Sequence, residues 1–562
     1  MTAQPGAMVA GSNTSENASR GLLAARILRH AIDSPHRVAI SVDDTTLVYA
    51  ELAQQALALA QSWPPSEVAG GKPPAGKAGV SDECTDAATV LPEPLVALEA
   101  PNHVAFAVIY LACVAAGTVL ALIDPGWTTK RRRQLLEPFR PMACYDAGGC
   151  DSLTAGPGAN ATDSMHPADW PTAWHQMLGE ELDPRLDDAC FLLGFTSGSS
   201  GQPKAFIRRQ HSWRHSLNAS RREFGIGTDD CVIAPGPLSH GLSFYAMVES
   251  LSAGASFHSL SKFEVNPLLA LLRSQRGSTL VLVPTMLHRL LEAGVGPLEQ
   301  VRRIITAGAK LLPAMLEQLR GLFPQATISE YYGASELSFV SVMHHPPCPA
   351  NGALANSSAS NASSVGRAFQ GVELSIRDDN GRRCGIGETG FVSVRSQMLA
   401  EGYLMVSEGR PELQLLPTLA DTVNVGDVGY LDASQQLFLT GRRDRIINSG
   451  ALKISAEQVE AVLADLPLPG AYAVFGNPST EWGQQISIAL ECAPDALVGT
   501  AREQLIAGVN AVSWHRLQRH ERPRYLFLCP SPPRTHSGKL SFSEIPDTVL
   551  QNGVKMLRLS SR

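Results

Sequence analysis

The segment Phe195-Thr196-Ser197-Gly198-Ser199-Ser200-Gly201-Gln202-Pro203-Lys204 crowds hydroxyls and glycines directly behind an apolar run, Cys190-Phe191-Leu192-Leu193. Backbone N–H groups and Ser/Thr hydroxyls in such a loop can surround phosphate oxygens, and Lys204 adds a point charge. The spacing is not GxxxxGK[ST], so the loop predicts phosphate binding without predicting a P-loop hydrolase. A second segment, Tyr331-Tyr332-Gly333-Ala334-Ser335-Glu336, sets aromatic rings beside a glycine, a hydroxyl and a carboxylate. Those groups suit a stacked base and a bound Mg²⁺. Two cationic segments follow, Gly441-Arg442-Arg443-Asp444 and Pro533-Arg534-Thr535-His536-Ser537-Gly538-Lys539. By contrast, His344-His345-Pro346-Pro347-Cys348 has no fourth ligand at a metal-binding spacing and reads as a loop.

Chemistry of this kind needs rigid elements behind it. Helix, glycine and short apolar strand recur at Val104 to Ile123, Val265 to Pro284 and Gln300 to Thr306. The alternation predicts parallel strands joined by crossover helices, an α/β architecture. Val104 to Ile123 carries no charge and reaches the length of about 20 residues that spans a bilayer. Gly117-Thr118 divides it into a buried helix and a strand, so no integral membrane segment is expected. From Glu373 to Ser396, short alternating runs around Asp-Asn-Gly and Gly-Ile-Gly predict antiparallel hairpins. Beyond Gly441 the pattern changes to a strand over Arg445 to Ile454, a helix from Ser455, and strands near Ala471 to Phe475 and Ile486 to Leu490. That is a small α+β domain of roughly 120 residues. Ser62 to Pro92 and Cys348 to Ser364 are dominated by small, Pro and polar residues and predict exposed loops. The expected division is 1–441 and 442–562.

The chain has 562 residues, about three to four usual domain sizes, which agrees with two or more domains. Hydrophobic residues at 44% and charged residues at 18% exclude wholesale disorder. A net charge of -7 gives no general attraction for nucleic acid or an anionic membrane. The 10 cysteines form no CxxC pair and Met1 to Arg20 lacks the build of a signal peptide, so a reducing, cytoplasmic setting is expected.

Taken in order, the motifs resemble the adenylate-forming superfamily of acyl- and aryl-CoA ligases, peptide-synthetase adenylation domains and luciferases. The likeness spans nearly the whole chain, from Leu47-Val48-Tyr49-Ala50-Glu51-Leu52 and Leu111 to Pro125 onwards. It implies a large N-terminal domain of parallel α/β layers with a distorted β-barrel region. A small mobile α+β C-terminal domain then carries the catalytic lysine, Lys539. It further implies that Thr196 to Lys204 contacts the β- and γ-phosphates of ATP, Ser200 standing for the commoner Thr. Ala307, Gly308 and Ala309 would lie along adenine and substrate, Tyr332 with Gly333 on adenine, Ser335 at the α-phosphate and Glu336 on Mg²⁺. Asp427 and Arg442 would grip the ribose, and Asp444 would be the hinge. Gly450 and Ala451 would enter the thiol half-reaction, in a stretch where Asn448 departs from the family's usual lysine. Physically, a carboxylate attacking an α-phosphate needs cations and no general base, and Lys204, Lys539 and Mg²⁺ would supply them.

The resemblance places the acid pocket at His240, Gly241, Leu242, Phe244, Tyr245, Met286, Ala307 and Leu337. Gly241 falls where α-amino acid adenylation domains carry an Asp, and an unpaired buried ammonium costs several kcal/mol. An apolar pocket for a fatty or aromatic acid is therefore expected. The expected reaction makes acyl-AMP and pyrophosphate, then transfers the acyl group to CoA. A stand-alone adenylation enzyme loading the phosphopantetheine of a separate acyl-carrier protein is one alternative, since no carrier domain follows Lys539; a catalytically inactive binding protein is another. The basic run Arg516 to Arg524 would be either a phosphate-binding patch or a solvated face.

Overall fold

The computed structural model describes residues 22–63, 94–154, 184–197, 203–275, 278–347, 363–407, 410–449, 452–479, 483–493, 495–534, 540–542, 544–551 and 554–559. Most of the expected loops 348–364 and 62–92 falls outside them. Contacts group the chain into two units. One comprises Met1–Phe195, Ala205–Val372 and Ser396–Leu416; the other comprises Thr196–Lys204, Glu373–Arg395 and Pro417–Arg562.

Two sheets build the first unit. In one, Val38–Val42, Ser256–Ser259, Cys231–Ile233, Ser278–Leu282, Val301–Ala307 and Thr327–Ala334 run parallel, with Thr45–Val48, Ser338–His345 and Arg367–Ala368 antiparallel at its edges. The other holds parallel Ala143–Tyr145, Leu95–Leu98, Val119–Leu122 and Cys190–Ser197, continued by Pro203–Arg209, Gly402–Ser407 and Arg410–Leu415. Helices Leu23–Asp33, Tyr49–Ser62, Ala105–Ala116, Gln210–Phe224 and Gly241–Ala253 share one core with residues of both sheets. Ala105–Ala116 is buried over ten consecutive residues and is apolar all round, as a helix enclosed on every side must be. It ends at Gly117 in the left-handed conformation (φ 66°), and Val119–Leu122 follows, the division the sequence predicts. Among the described residues no helix is long and apolar enough to cross a membrane.

The second unit also carries two sheets. Thr418–Leu419, Thr422–Val423, Gly390–Ser396, Asp427–Leu431 and Leu437–Arg442 follow one another, with Val372–Arg377 beside Gly390–Ser396. Among the described residues this path does not close on itself, so no closed barrel is seen where a distorted one is expected. The last sheet pairs Leu452–Ser455, Ile446–Ser449, Gly483–Glu491, Tyr525–Cys529 and Lys555–Arg558, with Tyr472–Ser479 also on Gly483–Glu491. Here the single strand expected over Arg445 to Ile454 is a hairpin, Ser449 pairing with Leu452. Helix Ala456–Leu463 starts at the Ser455 position expected from sequence, and there the Ser455 hydroxyl accepts from the Gln458 N–H.

Candidate active site

Val301–Ala307 and Thr327–Ala334 lie in parallel register with Ala307 opposite Tyr331. Both strands therefore end at the same carboxyl edge of the sheet, the place where open α/β sheets form ligand sites. Gly308 leaves that edge at φ 90°, a left-handed turn that suits glycine, and a Cβ there would meet nothing within 4 Å. Gly333 is required for a different reason. A Cβ at this position would lie 2.1 Å from the Ser338 carbonyl oxygen, so only glycine lets the two antiparallel strands approach. Ala309 and Ser335 are exposed at this edge, while Ala307 and Tyr332 are half-buried.

Glu336 is buried at the turn that follows. Its Oε1 accepts from the Tyr403 hydroxyl at 2.8 Å, and its carbonyl accepts from Ala400 N at 2.8 Å. Behind it, Arg208 donates to the Ser335 carbonyl through Nε and Nη2 (3.2 and 2.6 Å) and to the Met398 carbonyl through Nη1 (2.9 Å). Burial pulls this guanidinium down to about 10, and the charge of Glu336 opposes that pull. Among the described residues no group of three or more His, Cys, Asp or Glu converges as a metal cage. A Mg²⁺ ion here would thus take Glu336 and phosphate oxygens, a donor set that fits this cation's preference for one or two carboxylates plus phosphate. His344 and His345 are used otherwise: their Nε2 atoms lie 2.7 Å from Glu223 and Glu330.

In the second unit, Asp427 faces Arg442 across an antiparallel pair, with Nη1 and Oδ1 3.4 Å apart. Arg442 Nη2 also donates to the Val425 carbonyl at 3.0 Å. The Thr196 hydroxyl lies 3.5 Å from the Lys204 carbonyl, and the Lys204 side chain is exposed. Gly198, Ser199, Ser200, Gly201, Gly450, Ala451 and Lys539 lie outside the described residues, as do the side chains of Ser197 and Asp444. A cavity of about 530 Å³ in this unit, lined by Arg377, Asp378, Phe391, Arg443 and Gln458 among others, contains none of the expected site residues. Size alone does not make it the site. In the basic run, Arg516 pairs with Asp465 and Arg522 bonds the Leu517 and Trp514 carbonyls.

The residues expected to form the acid pocket lie in and around helix Gly241–Ala253. His240 precedes helix Gly241–Ala253 half-exposed, its Nε2 3.5 Å from Asp124. Leu242 and Tyr245 do line a cavity, but with Phe224, Val281, Ile305, Tyr331 and Phe339, and its volume is about 10 Å³. That is room for one water. Rings close it: Phe339 meets Tyr331 edge-on at 4.7 Å and Tyr245 at 5.3 Å, and stacks on Phe369 at 4.3 Å. Phe244, Met286 and Leu337 take no part in this lining. Phe244 is fully buried against Tyr110, Leu337 is fully buried, and Met286 is partly buried against the core that holds Leu287 and Leu290. Glu249 also lines the cavity and accepts from the Ser220 hydroxyl. Burial pushes its carboxyl up to about 7, with the Ser220 bond opposing. The Tyr245 hydroxyl joins the same network, 2.7 Å from Ser216 Oγ and 3.3 Å from Ser220 Oγ. Sequence reasoning passed over Glu249, although it is the one charged residue in Gly241–Ala253.

This architecture is that of the adenylate-forming enzymes. The fold superposes on the Bacillus subtilis O-succinylbenzoate coenzyme A synthetase solved with ATP and magnesium, with a TM-score of 0.68 at 21% identity over 92% of this chain and 98% of that one. The AMP-binding enzyme family matches residues 86–404, and the chain belongs to it. Among curated relatives, the uncharacterized acyl-CoA ligase YhfT of Bacillus subtilis is 30% identical over 80% of this chain and 87% of its own. A putative long chain fatty acid-CoA ligase, VraA of Staphylococcus epidermidis, is 27% identical over 93% of this chain and 98% of its own. The chain is an enzyme of the AMP-forming acid–CoA ligase class.

Proposed function

We propose that this chain joins a carboxylic acid to ATP, releasing pyrophosphate and leaving acyl-AMP, and that the CoA thiol then displaces AMP to give the thioester. The observation that carries the reading is the shared carboxyl edge of Val301–Ala307 and Thr327–Ala334, with Gly308, Tyr332, Ser335 and Glu336 along it. Tyr332 would face adenine, Asp427 and Arg442 would hold the ribose, and Glu336 would hold Mg²⁺, which supplies charge at the phosphates. Lys204 would bind the pyrophosphate leaving group and Lys539 the α-phosphate, in a cytoplasmic enzyme whose small domain, 442–562, turns about Asp444 between half-reactions. Support for CoA over a separate carrier protein comes from the relatives, which are named as CoA ligases.

The test is pyrophosphate release over a panel of acids, with and without CoA. Acid-dependent release and CoA-dependent thioester are expected, and Lys204→Ala should slow release by about 2–4 kcal/mol of barrier. Wild-type release from that variant, or none from the native enzyme with any acid, would overturn the assignment.

A further inference from the structure

Between strand Val301–Ala307 and helix Pro313–Leu322 the chain runs through a linker, 308–312, that opens with the exposed Gly308 and Ala309. In parallel register Thr306 stands opposite Glu330 and Ala307 opposite Tyr331, so the linker leaves its strand beside Tyr332. After the left-handed turn at Gly308 the chain comes back, and Leu311 N donates to Glu330 Oε2 at 2.7 Å. Lys310 Nζ lies 2.7 Å from Glu330 Oε1, and His345 Nε2 lies 2.7 Å from the same oxygen. One carboxylate thus gathers three donors, two from the linker and one from the neighbouring strand Ser338–His345. Alternation along Thr327–Ala334 puts Glu330 on the same face of the sheet as Tyr332.

Glu330 is 5% exposed. Burial pushes its carboxyl up, but the bond from His345, the charge and bond of Lys310 and the Leu311 N–H together hold it below its ordinary value, so it stays ionised near neutrality. A buried ion pair is a weak source of stability, because desolvation offsets the attraction, and apolar side chains of similar volume often serve a fold as well or better. What this pair does supply is a fixed geometry. The Leu311 side chain is buried in the same core as Ile328, so side chain and backbone both tie the far end of the linker to strand Thr327–Ala334. Gly308 and Ala309 remain open at the tip.

We propose that Lys310 and Glu330 are positioning residues for the nucleotide: their ion pair clamps the linker beside Tyr332, so that the edge meeting adenine is formed before the ligand arrives. This rests on the adenylation reading and adds two residues to it. Neither side chain touches the reacting atoms. A linker ordered in advance removes an ordering cost from binding. Its loss weakens ground state and transition state alike, and so appears in nucleotide affinity and KM rather than in kcat.

Lys310→Met, Glu330→Gln, the double variant and Lys310→Arg test it against the native enzyme. Each is measured by calorimetric affinity for AMP and for ATP with Mg²⁺, by the ATP dependence of pyrophosphate release, and by melting. Each of the first two is expected to weaken AMP binding and raise KM for ATP by about tenfold, the scale of one hydrogen bond to a charged group, with kcat within about threefold of native. The double variant is expected to lose no more than the more affected single one, because both break the same contact, and Lys310→Arg to recover most of the affinity. Lowered melting with native affinity for both nucleotides would leave the pair a purely structural one and overturns the proposal. A kcat lowered by about tenfold or more in Lys310→Met, with KM unchanged, would make Lys310 a direct contact in the transition state and overturns it as well. Should Glu330→Gln not fold, Lys310→Met and Lys310→Arg still decide, since that side chain is 25% exposed. If no acid releases pyrophosphate, the adenylation reading fails, and the AMP affinities still decide whether the clamp positions a nucleotide. Native enzyme that binds neither AMP nor ATP overturns both.

Discussion

The Tyr403 hydroxyl donates to Glu336 Oε1 at 2.8 Å, while Ala400 N donates to the carbonyl of the same glutamate. One short segment thus fixes both the backbone and the side chain of the residue proposed to hold Mg²⁺. Tyr403→Phe removes only the side-chain contact. It is expected to raise the Mg²⁺ concentration needed for half-maximal pyrophosphate release by about tenfold, the scale of one hydrogen bond to a charged group. An unchanged Mg²⁺ titration would show that the contact is purely structural.

Arg208 clasps the Ser335 and Met398 carbonyls from a buried position. Arg208→Met leaves both carbonyls without that donor, and Arg208→Lys cannot reproduce the fork. A loss of about 2–5 kcal/mol in urea unfolding is expected for the methionine variant, with the lysine variant recovering part of it. Native stability in both would contradict the role.

Glu249 makes stability depend on pH in a direction opposite to most carboxylates. Its folded value, pushed up to about 7, lies above the 4.5 of the free group. Between those values the folded state binds more protons than the unfolded state, so this residue's contribution falls as pH rises from about 4.5 to 7. Glu249→Gln, which cannot ionise, should gain on the native protein by an amount on the order of 3 kcal/mol between pH 5 and pH 8. Chemical denaturation at both pH values reads the difference; parallel pH curves would refute it.

Lys539→Ala separates the half-reactions. A lysine at the α-phosphate stabilises the adenylation transition state and gains nothing once AMP is the leaving group. Acyl-AMP formation is expected to fall by a factor of about a hundred or more, while supplied acyl-AMP and CoA are converted at close to the native rate. Equal losses in both steps would argue for a single-state site.

The sequence alone determined the motif order and several of the element boundaries, because both are local. Loops of Gly, Ser and Thr behind apolar strands, the division at Gly117 and the cap at Ser455 are written in neighbouring residues. The resemblance carried by those motifs likewise marks Lys204, Glu336, Asp427 and Arg442 as candidate chemical residues. Which side chains meet across the fold was decided only by tertiary packing. Arg208 reaches Ser335 over 127 positions, and Tyr403 reaches Glu336 over 67. The residues expected to line an acid pocket part for the same reason. Leu242 and Tyr245 share a helical face with Glu249, whereas Phe244 turns into the core against Tyr110. Whether a sheet closes is likewise a matter of long-range strand pairing, which no local pattern around Glu373 to Ser396 could specify. Local propensity names the elements and the reactive groups; burial, with the cost it sets on each charge, decides which of them share a site.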